Sequence, residues 1–250
     1  MLARTEHHRY GRHRQQRADL SLPRGDGPFP VVVLIHGGSW RATYGKVVMK
    51  PVAADLVRRG FATWNIEYRR IGRGQGGGYP MTFDDVAAAI DYLGELGDPR
   101  LDLDDVTLLG HSAGGHLVLW AATREDARTR AQRVIAMAPV ADLASARMAH
   151  ALMGGTPQEV PERYARGNPL ELLPTGIPML LVHGAEDATV GIDHSRRYAK
   201  AARAAGDEIG LVEPQPGGHR SHIDPRSAGW RAAIEWLEEA RRSTSPPAAH

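Results

Sequence analysis

Val106-Thr107-Leu108-Leu109-Gly110-His111-Ser112-Ala113-Gly114-Gly115-His116-Leu117-Val118-Leu119-Trp120-Ala121-Ala122 reads as strand, turn and helix in succession. Residues 106–109 form an apolar run of strand length, and residues 115–122 carry a helical pattern. Between them stands G-x-S-x-G. A strand that stops at so sharp a turn and restarts as a helix leaves the serine hydroxyl exposed above the sheet. Glycines flank the serine because a larger side chain there would collide with neighbouring backbone. The helix behind Ser112 aims its free N–H groups and positive dipole end at the place where an oxyanion would form.

Outward from this turn, strands and helices alternate. Residues 17–22, 31–35, 61–68, 133–138, 177–182 and 208–213 read as strands. Residues 47–59, 82–96, 193–205 and 228–241 read as helices, the second capped by Thr82 and the first stopped by Gly60. The alternation predicts an α/β fold, a mostly parallel central sheet with helices on both faces. Residues 142–175 break the rhythm with Gly154-Gly155, Pro157, Pro161, Asn168-Pro169 and Pro174. They read as a small irregular cap insertion with short helices, placed over the active end of the sheet and setting much of the specificity. The expected organisation is a basic, mobile leader over residues 1–14, a single domain over 15–241 and a frayed tail over 242–250.

Composition excludes several classes. The 250-residue chain has no cysteine, so disulfides, thiolate zinc sites and a cysteine nucleophile are out. Its net charge of +2 is unexceptional, although Arg4, Arg9, Arg12, Arg14 and Arg17 crowd the start. That cluster reads as a solvated leader and not as a nucleic-acid arm. No stretch approaches the ~18 consecutive apolar residues of a membrane span, and the leader lacks a signal-peptide apolar core. The reading is a cytoplasmic protein with no membrane or nucleic-acid partner. His111 and His116 are five positions apart, the wrong spacing for one helical face, so no metal site is expected. The Gly-rich run 73–78 lacks the Gly-Lys-Ser/Thr ending of a phosphate loop and reads as a flexible rim.

A serine becomes a nucleophile only when a base takes its proton and an acid orients the base. In an open parallel sheet these partners are sought in loops after later strands. The loop after 177–182 reads His183-Gly184-Ala185-Glu186-Asp187, and Asp187 is the candidate acid, with Glu186 and Asp142 as alternatives. The loop after 208–213 reads Pro216-Gly217-Gly218-His219-Arg220-Ser221-His222. His219 is the candidate base, and His222 is a substrate contact or the alternative base. His183 is read as bracing the acid loop. Oxyanion donors are the N–H of Ala113 and those of Gly38 and Ser39 in His36-Gly37-Gly38-Ser39-Trp40. Trp40, His111, His222 and Arg220 are the substrate-pocket candidates. Nothing calls for a cofactor.

H-G-G-S-W, N-I-E-Y-R-R, G-H-S-A-G-G-H, H-G-A-E-D-A-T-V and G-G-H before I-D-P together resemble the α/β-hydrolase superfamily. The nearest flavour is its small esterase/lipase-like branch, which includes kynurenine-formamidase-like and feruloyl-esterase-like proteins. The resemblance covers about residues 15–239. It implies an α/β-hydrolase fold, Ser112 as nucleophile, Asp187 as acid, His219 as base and residues 37–40 as the oxyanion loop, with Tyr68 and Arg69 supporting the site. Relatives often carry an apolar residue after the catalytic histidine, where this chain has Arg220. The implied activity is a serine hydrolase cleaving a small-molecule carboxylic ester or small amide. Alternatives are an arylformamidase or prolyl-oligopeptidase-like peptidase, an acyl-transfer or cyclisation enzyme, and a non-catalytic ligand-binding protein on the same fold.

Overall fold

A computed structural model describes residues 4–244. Eight strands, β1 (Arg4–Arg9), β2 (Arg17–Leu22), β3 (Phe29–Ile35), β4 (Ala62–Ile66), β5 (Leu101–His111), β6 (Arg133–Met137), β7 (Met179–Val182) and β8 (Ile209–Val212), form one sheet. Their order is β1-β2-β4-β3-β5-β6-β7-β8. The pairs from β4 through β8 are parallel, while β1 pairs with β2 and β2 with β4 in antiparallel fashion. The mostly parallel sheet is thus as expected.

Helices α1 (Lys50–Arg58), α2 (Met81–Leu96), α3 (Ala113–Ala121), α4 (Ala149–Met153), α5 (Pro161–Gly167), α6 (Asp193–Ala205) and α7 (Ala228–Thr244) complete the chain. Strand alternation divides the apolar side chains between two layers. Val31, Val33 and Ile35 of β3 pack on one face with Val86 and Leu93 of α2, Leu117 of α3 and Tyr198 of α6. Val32 and Leu34 pack on the other with Val52 and Leu56 of α1 and Trp230 and Leu237 of α7. No helix among the described residues is long and apolar enough to cross a membrane.

Several expectations are corrected. Residues 4–9 are not a mobile leader: β1 is the edge strand of the sheet, and Tyr10 is buried. The following turn is tied down by Gln15 Nε2 to Gln75 Oε1 (2.6 Å) and Gln16 Nε2 to Asp85 Oδ1 (2.7 Å). Helix α2 starts one residue before Thr82, whose hydroxyl donates to Arg69 O at 2.6 Å and receives Gly78 N–H at 3.0 Å. Helix α7 continues to Thr244, past the expected boundary at 241, and the remainder of the expected tail, 245–250, lies outside the described residues, as do residues 1–3 of the leader.

Candidate active site

Ser112 sits between the end of β5 and the start of α3 with φ 54° and ψ −115°. A non-glycine residue held there carries strain of about 1–3 kcal/mol, which the surroundings must sustain. They do so through Ser112 N–H to Met137 O (2.8 Å) and His116 N–H to Ser112 O (3.0 Å). The flanking glycines are required by space. A Cβ on Gly110 would lie 2.1 Å from Gly114 O, and one on Gly114 would lie 2.0 Å from Ile35 O.

Asp187 and His219 reach this turn from the loops after β7 and β8. Ser112 Oγ–H faces His219 Nε2 at 3.0 Å, and His219 Nδ1–H donates to Asp187 Oδ2 at 2.6 Å. Asp187 Oδ1 accepts the N–H groups of Thr189 (2.8 Å) and Val190 (2.9 Å). His183 Nε2 stands 3.2 Å from Asp187 Oδ2, while its Nδ1 meets Ser195 Oγ at 2.7 Å. Burial raises the Asp187 pKa. Hydrogen bonds from His183, His219, Val190 and Thr189 outweigh that and hold the carboxyl well below the usual carboxylate range. The acid therefore stays charged and fixes the tautomer of His219.

The alternative acids are engaged elsewhere. Glu186 Oε2 accepts Gly217 N–H at 3.0 Å and so ties the acid loop to the histidine loop. Asp142 pairs with Arg197 at 3.0 Å. His111 lines the pocket and donates from Nε2 to His219 O at 2.8 Å; burial, then the neighbouring His219, push its pKa down to about 3.

Ser112 and His219 open onto a cavity of about 190 Å³ lined also by Gly37, Gly38, Ser39, Tyr44, Val48, Thr189, Arg220 and Ile223. Gly38 and Ser39 have φ of 118° and 51°, and the loop after β3 that holds them lines the cavity with Ser112. The Ala113 N–H belongs to the first turn of α3, where backbone donors have no intrahelical acceptor. Of the expected oxyanion donors, Gly38 and Ser39 line the same cavity as Ser112, and Ala113 follows it in the chain. A brace not foreseen from sequence holds the loop of Gly38 and Ser39: His36 donates from Nδ1 to Gly37 O (2.7 Å), faces Glu67 Oε1 through Nε2 (2.7 Å) and stacks on Tyr68. Tyr68 OH donates to His36 O at 2.9 Å, while Arg69 pairs with Asp85 at 2.7 Å. Glu67 lies within the N-I-E-Y-R-R stretch, but its partner is 31 positions away. Tyr44 and Val48 carried no signal in sequence, and Thr189 stood only as one letter of the H-G-A-E-D-A-T-V stretch.

Two pocket candidates are displaced. Trp40 is fully buried against the edge of His116 (ring centroids 5.3 Å apart) and does not line the cavity. His222 is also fully buried: it turns inward in a short 3-10 segment, and its Nε2 accepts Gly184 N–H at 3.3 Å. It thus packs behind the acid loop. The insertion 142–175 contributes no residue to the cavity lining either. Its apolar Ala149, Leu152, Met153 and Tyr164 bury into the core, and Gly167 O accepts His116 Nε2 at 2.9 Å. Among the described residues, no three His, Asp or Glu side chains are grouped to hold a metal ion.

The family model BD-FAE matches residues 18–201. Esterase LipQ of Mycobacterium tuberculosis (strain ATCC 25618 / H37Rv) is 26% identical over an alignment of 213 residues that covers 77% of this chain and 50% of LipQ. The chain spans half or less of the length of the curated relatives it matches. Among solved structures, a truncated carbohydrate esterase from gut microbiota superposes with a TM-score of 0.83 at 19% identity, covering 95% of this chain and 96% of that one. Thermogutta terrifontis esterase 2, phosphoramylated by tabun, superposes with a TM-score of 0.78 at 20% identity, covering 98% and 97%. These two likenesses are of fold, the α/β-hydrolase arrangement.

Proposed function

The chain belongs to the BD-FAE family, and from that premise we propose that it is a serine hydrolase that cleaves a small carboxylic ester through an acyl-enzyme on Ser112. The observation that carries this reading is the unbroken relay Ser112 Oγ–His219 Nε2 at 3.0 Å and His219 Nδ1–Asp187 Oδ2 at 2.6 Å, opening onto a cavity. His219 removes the Ser112 proton as Oγ attacks the ester carbonyl. The N–H groups of Ala113, Gly38 and Ser39 receive the oxyanion, and Asp187 stabilises the imidazolium. His219 then protonates the departing alcohol and activates the water that releases the acid.

The cavity of about 190 Å³ suits a short acyl group. Its lining includes nothing from the 142–175 insertion, so the acyl group would meet only residues of the loops around Ser112.

The test is a fluorophosphonate label read by intact mass, together with 4-nitrophenyl acetate turnover. The wild-type protein takes one label, Ser112→Ala takes none, and its kcat falls by about 10⁴-fold or more. A wild-type protein that refuses the label, or an alanine variant that still turns over, overturns the proposal.

A further inference from the structure

The arginines at the start of the chain find no use in the relay, yet the fold gathers two of them, Arg14 and Arg17, into a basin of their own. The turn between β1 and β2 lies beside the Gly-rich loop through Gln15–Gln75 (2.6 Å) and Arg14–Gln75 (3.3 Å). There Arg14, Arg17, Lys46 and Arg70 line a basin of about 360 Å³. Its single carboxylate, Glu67, is engaged by His36 at 2.7 Å and Arg70 at 3.5 Å. Lys46 is held by Asp19. Arg14 and Arg17 are exposed, and no carboxylate of the described residues pairs with them.

The basin and the catalytic cavity share no lining residue, but Tyr44 stands between them. The side chain of Tyr44 lines the Ser112 cavity, while its carbonyl accepts the Arg70 guanidinium. Over the Tyr44 ring, at 5.4 Å from its centroid, lies Arg220, exposed and likewise without a carboxylate partner among the described residues. Arg220 is the cation that directly follows His219 in the chain. Arg14 gives an N–H to Gln75 and Arg17 one to Arg14 O, which leaves both guanidinium groups without a carboxylate; such groups attract and orient anions, and guanidinium binds carboxylate in bidentate fashion.

Resting on the ester-hydrolase reading above, we propose that the ester is borne by a carboxylate-bearing chain. Its short acyl group reaches Ser112, the nearest carboxylate pairs with Arg220 over Tyr44, and the next lies in the basin against Arg14 and Arg17. Water cleaves the acyl–oxygen bond, releasing the short acid and the free hydroxyl of the carrier. A nucleic acid fits this tract less well. Tyr44 is the one exposed aromatic ring beside it among the described residues, with no further platform on which bases would stack.

The test compares an O-acetylated uronate trimer with the same trimer capped as methylamides. The expected result is a kcat/KM advantage of about tenfold or more for the charged trimer in about 0.02 M NaCl, shrinking by 0.5 M as screening sets in. The double variant Arg14→Gln/Arg17→Gln, and separately Arg220→Gln, should each cut the advantage about threefold or more through KM, while Arg220→Lys keeps part of it. Turnover of 4-nitrophenyl acetate reports the relay separately. Equal kcat/KM for the two trimers, or an advantage untouched by all the variants, overturns the proposal. If no ester is cleaved at all, the hydrolase reading fails first. Calorimetric binding of the unacetylated trimer then decides the basin: affinity lost in the double variant supports it, and no affinity in the wild type refutes it. A short RNA that binds the basin while the charged trimer gains nothing refutes it as well.

Discussion

His219 and His222 are three positions apart, and the backbone between them gives them different work. His219 points out to Ser112 and keeps 13% of its side chain exposed, while the 3-10 segment at Ser221–Ile223 turns His222 inward until none of it is exposed. His219→Ala should lower kcat on 4-nitrophenyl acetate by about 10³-fold or more. His222→Ala should instead leave Gly184 N–H without its acceptor, costing about 1–3 kcal/mol of stability while labelling of Ser112 persists. Paired kinetics and thermal melts check this, and a larger kinetic loss in His222→Ala would reassign the base. The sequence names Ser112, Asp187 and His219 because each occupies a loop directly after a strand, a local property. It misnames Trp40 and His222 because facing a cavity depends on side-chain direction, which no neighbouring residue encodes. The His36–Glu67 brace is hidden for a related reason: two segments meet that are remote in the chain.

Between elements, the relay depends on the acid loop after β7 touching the histidine loop after β8. They meet glycine to glycine: a Cβ on Gly184 would lie 1.9 Å from Gly217 O and 2.3 Å from Gly217 Cα. Both obstacles are backbone, so a methyl group there must part the two loops. A displacement of about 1 Å in a catalytic group costs about 10²-fold in rate. Gly184→Ala should therefore lose about 10²-fold in kcat with the circular dichroism of the wild type, whereas Gly218→Ala, whose Cβ meets nothing within 4 Å, should lose little. Equal losses in the two would mean that loop contact does not set the relay. The strands of the parallel core were legible because burial on both faces writes them as apolar runs. β1 was not: as an edge strand of Arg4-Thr5-Glu6-His7-His8-Arg9 it carries no such run, and only its pairing with β2 reveals it. The 142–175 insertion was legible as irregular, but its packing into the core gives no periodic signal.

Across the whole molecule, burial sets how stability depends on pH. His111, His116 and His222 are all enclosed, and burial lowers their pKa values to about 3, 4 and 4. In the unfolded chain an imidazole titrates near 6.5. Between about pH 6.5 and 4 the unfolded state therefore binds protons that the folded state refuses, and stability falls with falling pH by up to about 1.4 kcal/mol per pH unit for each such histidine. Asp187, Asp55, Asp91 and Glu67 have depressed values in the fold, so the stability they contribute above the unfolded carboxylate pKa is lost further down. Tyr10, Tyr68 and Tyr198 are raised, so the folded state holds protons that the unfolded state gives up only above about pH 10. The urea midpoint should thus be flat from about pH 7 to 9, decline below about 6.5 and steepen below about 4.5. His116 accepts no polar side-chain partner, only donating to Gly167 O, so His116→Gln should remove about one proton from the acid limb. A midpoint constant from pH 7.5 to 5 in the wild-type protein would mean that these histidines are not held neutral by the fold.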